Sequence, residues 1–89
     1  MKINHDKEAQ KFSLTIDGKD SSVLYRMTTN KTMDIYRTYV PPEQRHKGLA
    51  GKIVKAALDY AKENNLKVIP SCSYTDYFIK QNKEYKSLL

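Results

Sequence analysis

Apolar and polar residues alternate through the first half of this chain. Lys11-Phe12-Ser13-Leu14-Thr15-Ile16 has period two, which sets Phe12, Leu14 and Ile16 on one face of a strand. Asp17-Gly18-Lys19-Asp20 follows, and Asp-Gly supplies the positive φ angles of a tight hairpin. Ser22 to Met27 is the return strand, with Val23, Tyr25 and Met27 on one side and Leu24 on the other. The polar stretch Thr28 to Lys31 turns the chain again. Thr32 to Val40 is a third long strand, carrying Met33, Ile35, Tyr36, Tyr39 and Val40. Lys2 to His5 makes a short opening strand. Short turns between successive strands imply an antiparallel meander.

The period changes after Pro41-Pro42, which end the strand because proline lacks a ladder donor and has a fixed φ. From about Lys47 to Asn64, the residues Leu49, Ala50, Ile53, Val54, Ala57, Leu58 and Ala61 form a wide apolar stripe. Lys52, Lys55, Asp59 and Lys62 form a polar face. This pattern predicts a helix lying across a sheet, stopped at Asn64-Asn65 by a left-handed asparagine. Lys67 to Cys72 is a short β-branched strand. Tyr74, Tyr77, Phe78, Tyr85 and Leu88 then recur at nearly helical spacing, which predicts one or two short helices. The expected fold class is α+β: a mostly antiparallel β-meander, then a helix, a short strand and C-terminal helical turns. Without repeats, linkers or low-complexity tracts, residues 1–89 read as one domain.

Composition narrows the choice of class. A chain with 39% hydrophobic and 29% charged residues suits a soluble globular protein. No apolar run approaches the roughly 20 residues that span a bilayer, and Met1-Lys2-Ile3-Asn4-His5-Asp6 lacks the apolar stretch of a secretory signal. The expectation is a cytoplasmic monomer with no membrane partner. Cys72, the single cysteine, has no internal disulfide partner, and His5 and His46 show no metal-ligand spacing with it, so no metal site is expected. Sixteen basic against ten acidic residues give a net charge of +6, which favours polyanions and phosphate-bearing cofactors as ligands.

Three physical features converge between the third strand and the helix, in Pro41-Pro42-Glu43-Gln44-Arg45-His46-Lys47-Gly48-Leu49-Ala50-Gly51. A helix start leaves backbone N–H groups unpaired at the positive end of its dipole. Gly48, Ala50 and Gly51 are small enough for an anion to approach the main chain. Arg45, His46 and Lys47 add charge beside those donors. Together they describe a diphosphate site, although a solvated basic turn has the same composition. The segment is neither a Walker loop nor a dinucleotide fingerprint after a parallel strand.

Arg45-x-x-Gly48-x-Ala50, between a strand and an amphipathic helix, resembles the pyrophosphate-binding motif of the GNAT N-acetyltransferases. The longer stretch from Thr38 to Ala50, followed by Cys72-Ser73-Tyr74, resembles a small branch of stand-alone GNAT-like proteins of about this length, over roughly residues 10 to 88. The resemblance implies a reduced GNAT fold and acetyl-CoA as co-substrate. The cofactor would enter where the strand before the motif and the strand after the helix splay apart. Thr38, Tyr39 and Val40 would run beside the pantetheine, and Arg45, His46, Lys47, Gly48, Leu49, Ala50 and Gly51 would hold the pyrophosphate. Two positions depart from the pattern. His46 stands where glycine is common, and Arg37 stands where members of this branch often carry histidine.

Acetyl transfer needs a neutral amine and a proton for the CoA thiolate. Cys72, at the end of the strand bordering the cofactor, is a candidate nucleophile or general acid, although a lone cysteine at a strand end is more simply a small buried hydrophobe. Tyr74 is a candidate proton donor, with Tyr77 beside it. Asp34, Glu43 and Asp76 are the acidic candidates for a base, and no spacing singles one out. The leading expectation is an acetyl-CoA-dependent N-acetyltransferase acting on a primary amine of a protein or small molecule. A CoA-binding module without turnover is a second reading. A third is a nucleic-acid-binding domain using Tyr25, Tyr36 and Tyr39 with Arg26, Lys31 and Arg37, less favoured because core packing accounts for those tyrosines.

Overall fold

The computed structural model describes residues 2–89. Met1, the first residue of the leader and domain readings, lies outside the described residues. Five strands form one sheet in chain order: β1 (Asn4–Asp6), β2 (Lys11–Ile16), β3 (Lys19–Thr29), β4 (Thr32–Tyr39) and β5 (Lys67–Pro70). The first four are antiparallel to their neighbours. Helix α1 (Leu49–Glu63) then crosses to β5, which pairs parallel with β4. Helix α2 (Ser73–Gln81) and a 3-10 segment, Lys83–Leu88, complete the α+β fold.

Local chemistry accounts for the element boundaries. The β2–β3 turn is only Asp17-Gly18, both left-handed at φ 53 and 74, so β3 begins at Lys19 rather than Ser22 and is 11 residues long. Helix α1 starts at Leu49, two residues later than the apolar stripe predicts, because Gly48 sits at φ 76 and cannot be helical. Its far end stops where Asn65 takes φ 56, the left-handed position expected of an asparagine stop. Strand β5 ends at Pro70 rather than Cys72. The Cys72 N–H still bonds the Ile35 carbonyl at 2.9 Å, but Cys72 is already the N-cap of α2.

The helices all pack on one face of the sheet. Phe12, Leu14, Val23, Tyr25, Met33, Ile35 and Val68 meet Leu49, Ile53, Val54, Ala57, Leu58 and Ala61 of α1, with Ile79, Tyr85 and Leu88 closing the far side. Fully burying an Ile, Leu or Val side chain contributes about 1.5–3 kcal/mol, so this layer holds the fold without a disulfide. Gly51 allows α1 and α2 to approach closely, since a Cβ there would lie 3.3 Å from the Tyr74 hydroxyl and 3.5 Å from the Phe78 ring.

Strand β4 contains a bulge that its sequence does not announce. Leu24 pairs with Arg37 and Tyr25 with Ile35, which leaves Tyr36 as an extra residue. Unbroken alternation would carry Arg37 and Tyr39 to the helix side with Ile35. The bulge reverses this: Thr38 turns toward the helices opposite buried Val23, and Arg37 and Tyr39 turn outward. Core packing therefore accounts for Tyr25, 4% exposed, but not for Tyr36 and Tyr39, each 39% exposed.

Candidate functional site

The β4–β5 pairing stops at Ile35 and Pro70, while β4 runs on to Tyr39. Past Ile35 no strand among the described residues pairs with this edge of β4, and the start of α2 lies beside it, with the Cys72 N–H on the Ile35 carbonyl at 2.9 Å. Thr38, Tyr39 and Val40, the residues expected beside a pantetheine, occupy this stretch.

At its far end Pro41 leads into a short 3-10 turn, Pro42–Gln44. Gln44 is 4% exposed and donates from Nε2 to the Ile16 carbonyl at 2.6 Å. This bond anchors the loop to the end of β2. The neighbouring Lys19–Glu43 ion pair, 2.6 Å apart and half exposed, is screened by solvent and adds little. Nothing in the sequence marked Gln44. Its role follows from a carbonyl 28 residues away.

Beyond this anchor, Arg45, His46, Lys47 and Gly48 are exposed. The Arg45 Nε donates to the Val40 carbonyl at 2.9 Å, closing the loop on itself. His46 has φ 68, a left-handed angle that glycine adopts without cost and histidine does not. This is the position where the resemblance expects glycine. Gly48, also left-handed, is the N-cap of α1, and no side chain caps that terminus. The first turn holds no acidic residue, so the opening amides of α1 keep their positive end.

The seven residues expected to hold a pyrophosphate thus lie in one loop and helix start, but they do not contribute alike. The Leu49 side chain is 3% exposed in the core, so only its amide is available to a ligand. The missing Cβ of Gly51 makes room for Tyr74 and Phe78 rather than for an anion.

Against this edge lies Cys72, half-buried, with Sγ 3.3 Å from the Thr38 hydroxyl. Burial pushes its thiol up. The Thr38 hydrogen bond and the Thr75 and Tyr74 amides outweigh burial, holding the thiol below the ordinary cysteine value. These amides open α2, although none closes a capping hydrogen bond. Thr75 is fully buried. The Tyr74 hydroxyl reaches the first turn of α1, and burial with Tyr77 nearby holds its phenol above the ordinary tyrosine value. Tyr74 therefore keeps its proton at neutral pH.

The other acidic candidates fall elsewhere. Glu43 pairs with Lys19, and Asp76 pairs with Lys80 along α2 at 3.0 Å. Asp34 lies on the opposite face of the sheet, 3.6 Å from Arg26. Among the described residues, no group of three or more His, Cys, Asp or Glu could hold a metal ion, and no helix is long and apolar enough to cross a membrane.

Known proteins share this arrangement. Residues 11–88 match the family of GCN5-related N-acetyltransferases. Protein NATD1 of Danio rerio is 36% identical over 84 residues, covering 92% of this chain and 76% of that protein. Protein NATD1 of Homo sapiens is 32% identical over 92% of this chain and 74% of its own length. The solution NMR structure of a GCN5-like candidate N-acetyltransferase from Staphylococcus aureus superposes with a TM-score of 0.77 at 29% identity, covering 98% of this chain and 85% of that one. With the family match over residues 11–88, these relatives and the shared fold, the chain belongs to the GCN5-related N-acetyltransferase family.

Proposed function

We propose that this protein binds acetyl-CoA in the opening between β4 and β5 and transfers the acetyl group to a primary amine. The observation that carries the reading is the uncapped start of α1. It sits behind a basic loop with two left-handed residues, at the end of a strand that has outrun its partner. These donors fit a diphosphate, since its charge meets several main-chain N–H groups and the helix dipole together. The bare edge of β4 suits an extended amide-bearing arm, which can pair with backbone groups as a strand would.

When bound, acetyl-CoA supplies an activated acetyl group; the chain's own side chains handle the acyl group and the proton. Cys72, with its thiol held low, attacks the thioester carbonyl, and the carbon–sulfur bond to CoA breaks as the bond to Sγ forms. Tyr74 returns a proton to the departing thiolate. A neutral amine then takes the acetyl group from Cys72, and the proton it loses returns through water to the Tyr74 phenolate. The cysteinyl sulfur leaves as the thiolate from which it started.

The test is intact-mass analysis after incubation with acetyl-CoA alone, followed by CoA release in the presence of an amine library. The expected result is one acetyl group on the wild-type chain, none on Cys72→Ala, and amine-dependent release that the variant loses. Undiminished release by Cys72→Ala removes Cys72 from the chemistry and leaves direct attack on the thioester. Binding with no release to any amine reduces the protein to a CoA-binding module.

A further inference from the structure

The helices cover one face of the sheet and leave the other bare, and the registers fix what that bare face presents. One row runs Asp6, Lys11, Leu24, Arg37 across β1 to β4. A second runs Asn4, Ser13, Ser22, Tyr39, and a third runs Arg26, Asp34, Ile69 across β3 to β5. Tyr36, Tyr39 and Ile69 are 39%, 39% and 43% exposed.

The charges on this face are not equivalent. Lys11 faces Asp6 in register. Arg26 lies 3.6 Å from Asp34 and stacks on the Tyr36 ring at 4.2 Å. Arg37 has no such neighbour: its partner across β3 is Leu24, and it makes no ion pair among the described residues. It sits two residues past the last β4–β5 pair, beside the opening where the acetyl group would be delivered. The bulge at Tyr36 is what turns it outward.

We infer that this end of the bare face docks the acceptor, and that Arg37 selects an acidic peptide segment by pairing with a carboxylate near the acetylated amine. The inference rests on the acetyl-transfer reading. A guanidinium with free donors takes a carboxylate in a two-pronged, charge-assisted pair. Leu24 beside it and Tyr39 two residues on supply apolar contact. A nucleic-acid strand fits this face less well, because stacked bases need free aromatic faces. Tyr25 is buried and Arg26 covers the Tyr36 ring, which leaves Tyr39 alone.

The experiment compares fluorescent lysine peptides with flanking Asp/Glu, neutral or Lys/Arg residues, binding to the whole chain read by anisotropy and by the amide signals of Leu24, Arg37 and Tyr39. The acidic peptide should bind about tenfold more tightly than the neutral one. Arg37→Gln should erase that advantage, and Arg37→Glu should reverse it in favour of the basic peptide. Acetyl-CoA titration should be the same for all three proteins. Equal binding of the three peptides, or an acidic preference that survives Arg37→Glu, overturns the inference. So does a single-stranded RNA that displaces the acidic peptide and shifts the same signals more strongly. Failure to bind acetyl-CoA is a separate result, which overturns the acetyl-transfer reading and leaves the peptide measurement readable.

Discussion

Cys72 and Thr38 are 34 residues apart in sequence and 3.3 Å apart at their side-chain tips. Their meeting makes the cysteine more than a small hydrophobe at a strand end. Burial opposes the thiolate; the Thr38 hydroxyl and the first amides of α2 favour it and prevail. A Thr38→Val substitution keeps the shape but deletes the hydroxyl, so burial gains ground and the thiol must move up. Alkylation by iodoacetamide measured against pH should show it. Wild-type Cys72 should react at a lower pH than a free cysteine, and Thr38→Val should shift the profile to higher pH. Coincident profiles would show that the hydroxyl does not tune the thiol.

At the scale of elements, β1 is the most lightly held strand, with three residues on the sheet edge. His5 fastens it. The ring stacks on Phe12 at 4.0 Å, meets Tyr60 edge-on at 4.4 Å and hydrogen-bonds the Tyr25 hydroxyl at 2.6 Å. Burial chiefly, and Lys7 next, lower its pKa, against a smaller opposite pull from Asp6. The folded state therefore resists protonation. As pH falls below the ordinary histidine value, the unfolded chain binds the proton first and stability declines. Protection of the Asn4 to Asp6 amides, after correction for the intrinsic slowing of exchange at lower pH, should weaken from neutral pH to about pH 5, and His5→Phe should remove that dependence. An unchanged pH profile in His5→Phe would place the effect elsewhere.

The same scale shows what could be read from the chain. The β2–β3 hairpin was legible because Asp17-Gly18 permits a tight turn and Phe12, Leu14 and Ile16 keep period two. The stripe on α1 was legible because Ile53, Val54, Ala57 and Leu58 leave one consistent polar face. The bulge was not: Ile35 and Tyr36 are adjacent apolar residues that leave the facing of Arg37 and Tyr39 open, and only pairing with β3 shows where the register slips. That single residue decides that Thr38 faces Cys72 and Arg37 faces solvent. Gln44 was hidden for the same kind of reason, since its partner is a backbone carbonyl on another strand.

The whole molecule is a one-layer sheet with helices on one side, and its candidate site lies where the sheet divides. The loop carrying Arg45, His46, Lys47 and Gly48 was visible in sequence as a basic helix start. The unpaired edge beside it follows from the topology: β4 and β5 are parallel neighbours of unequal length, joined by α1. The loop after Tyr39 links that edge directly to the basic helix start. Acetyl-CoA binding is therefore the claim on which the catalytic and acceptor proposals depend.

The most direct measurement is a titration of acetyl-CoA against the backbone amide signals of the labelled protein. Saturable shifts are expected from Arg45 to Gly51 and along Thr38 to Val40, with the signals of β1 and β2 unmoved. Signals from Arg45 to Gly51 that stay in place at millimolar acetyl-CoA, in a protein whose spectrum shows the fold intact, would contradict acetyl-CoA binding at this site.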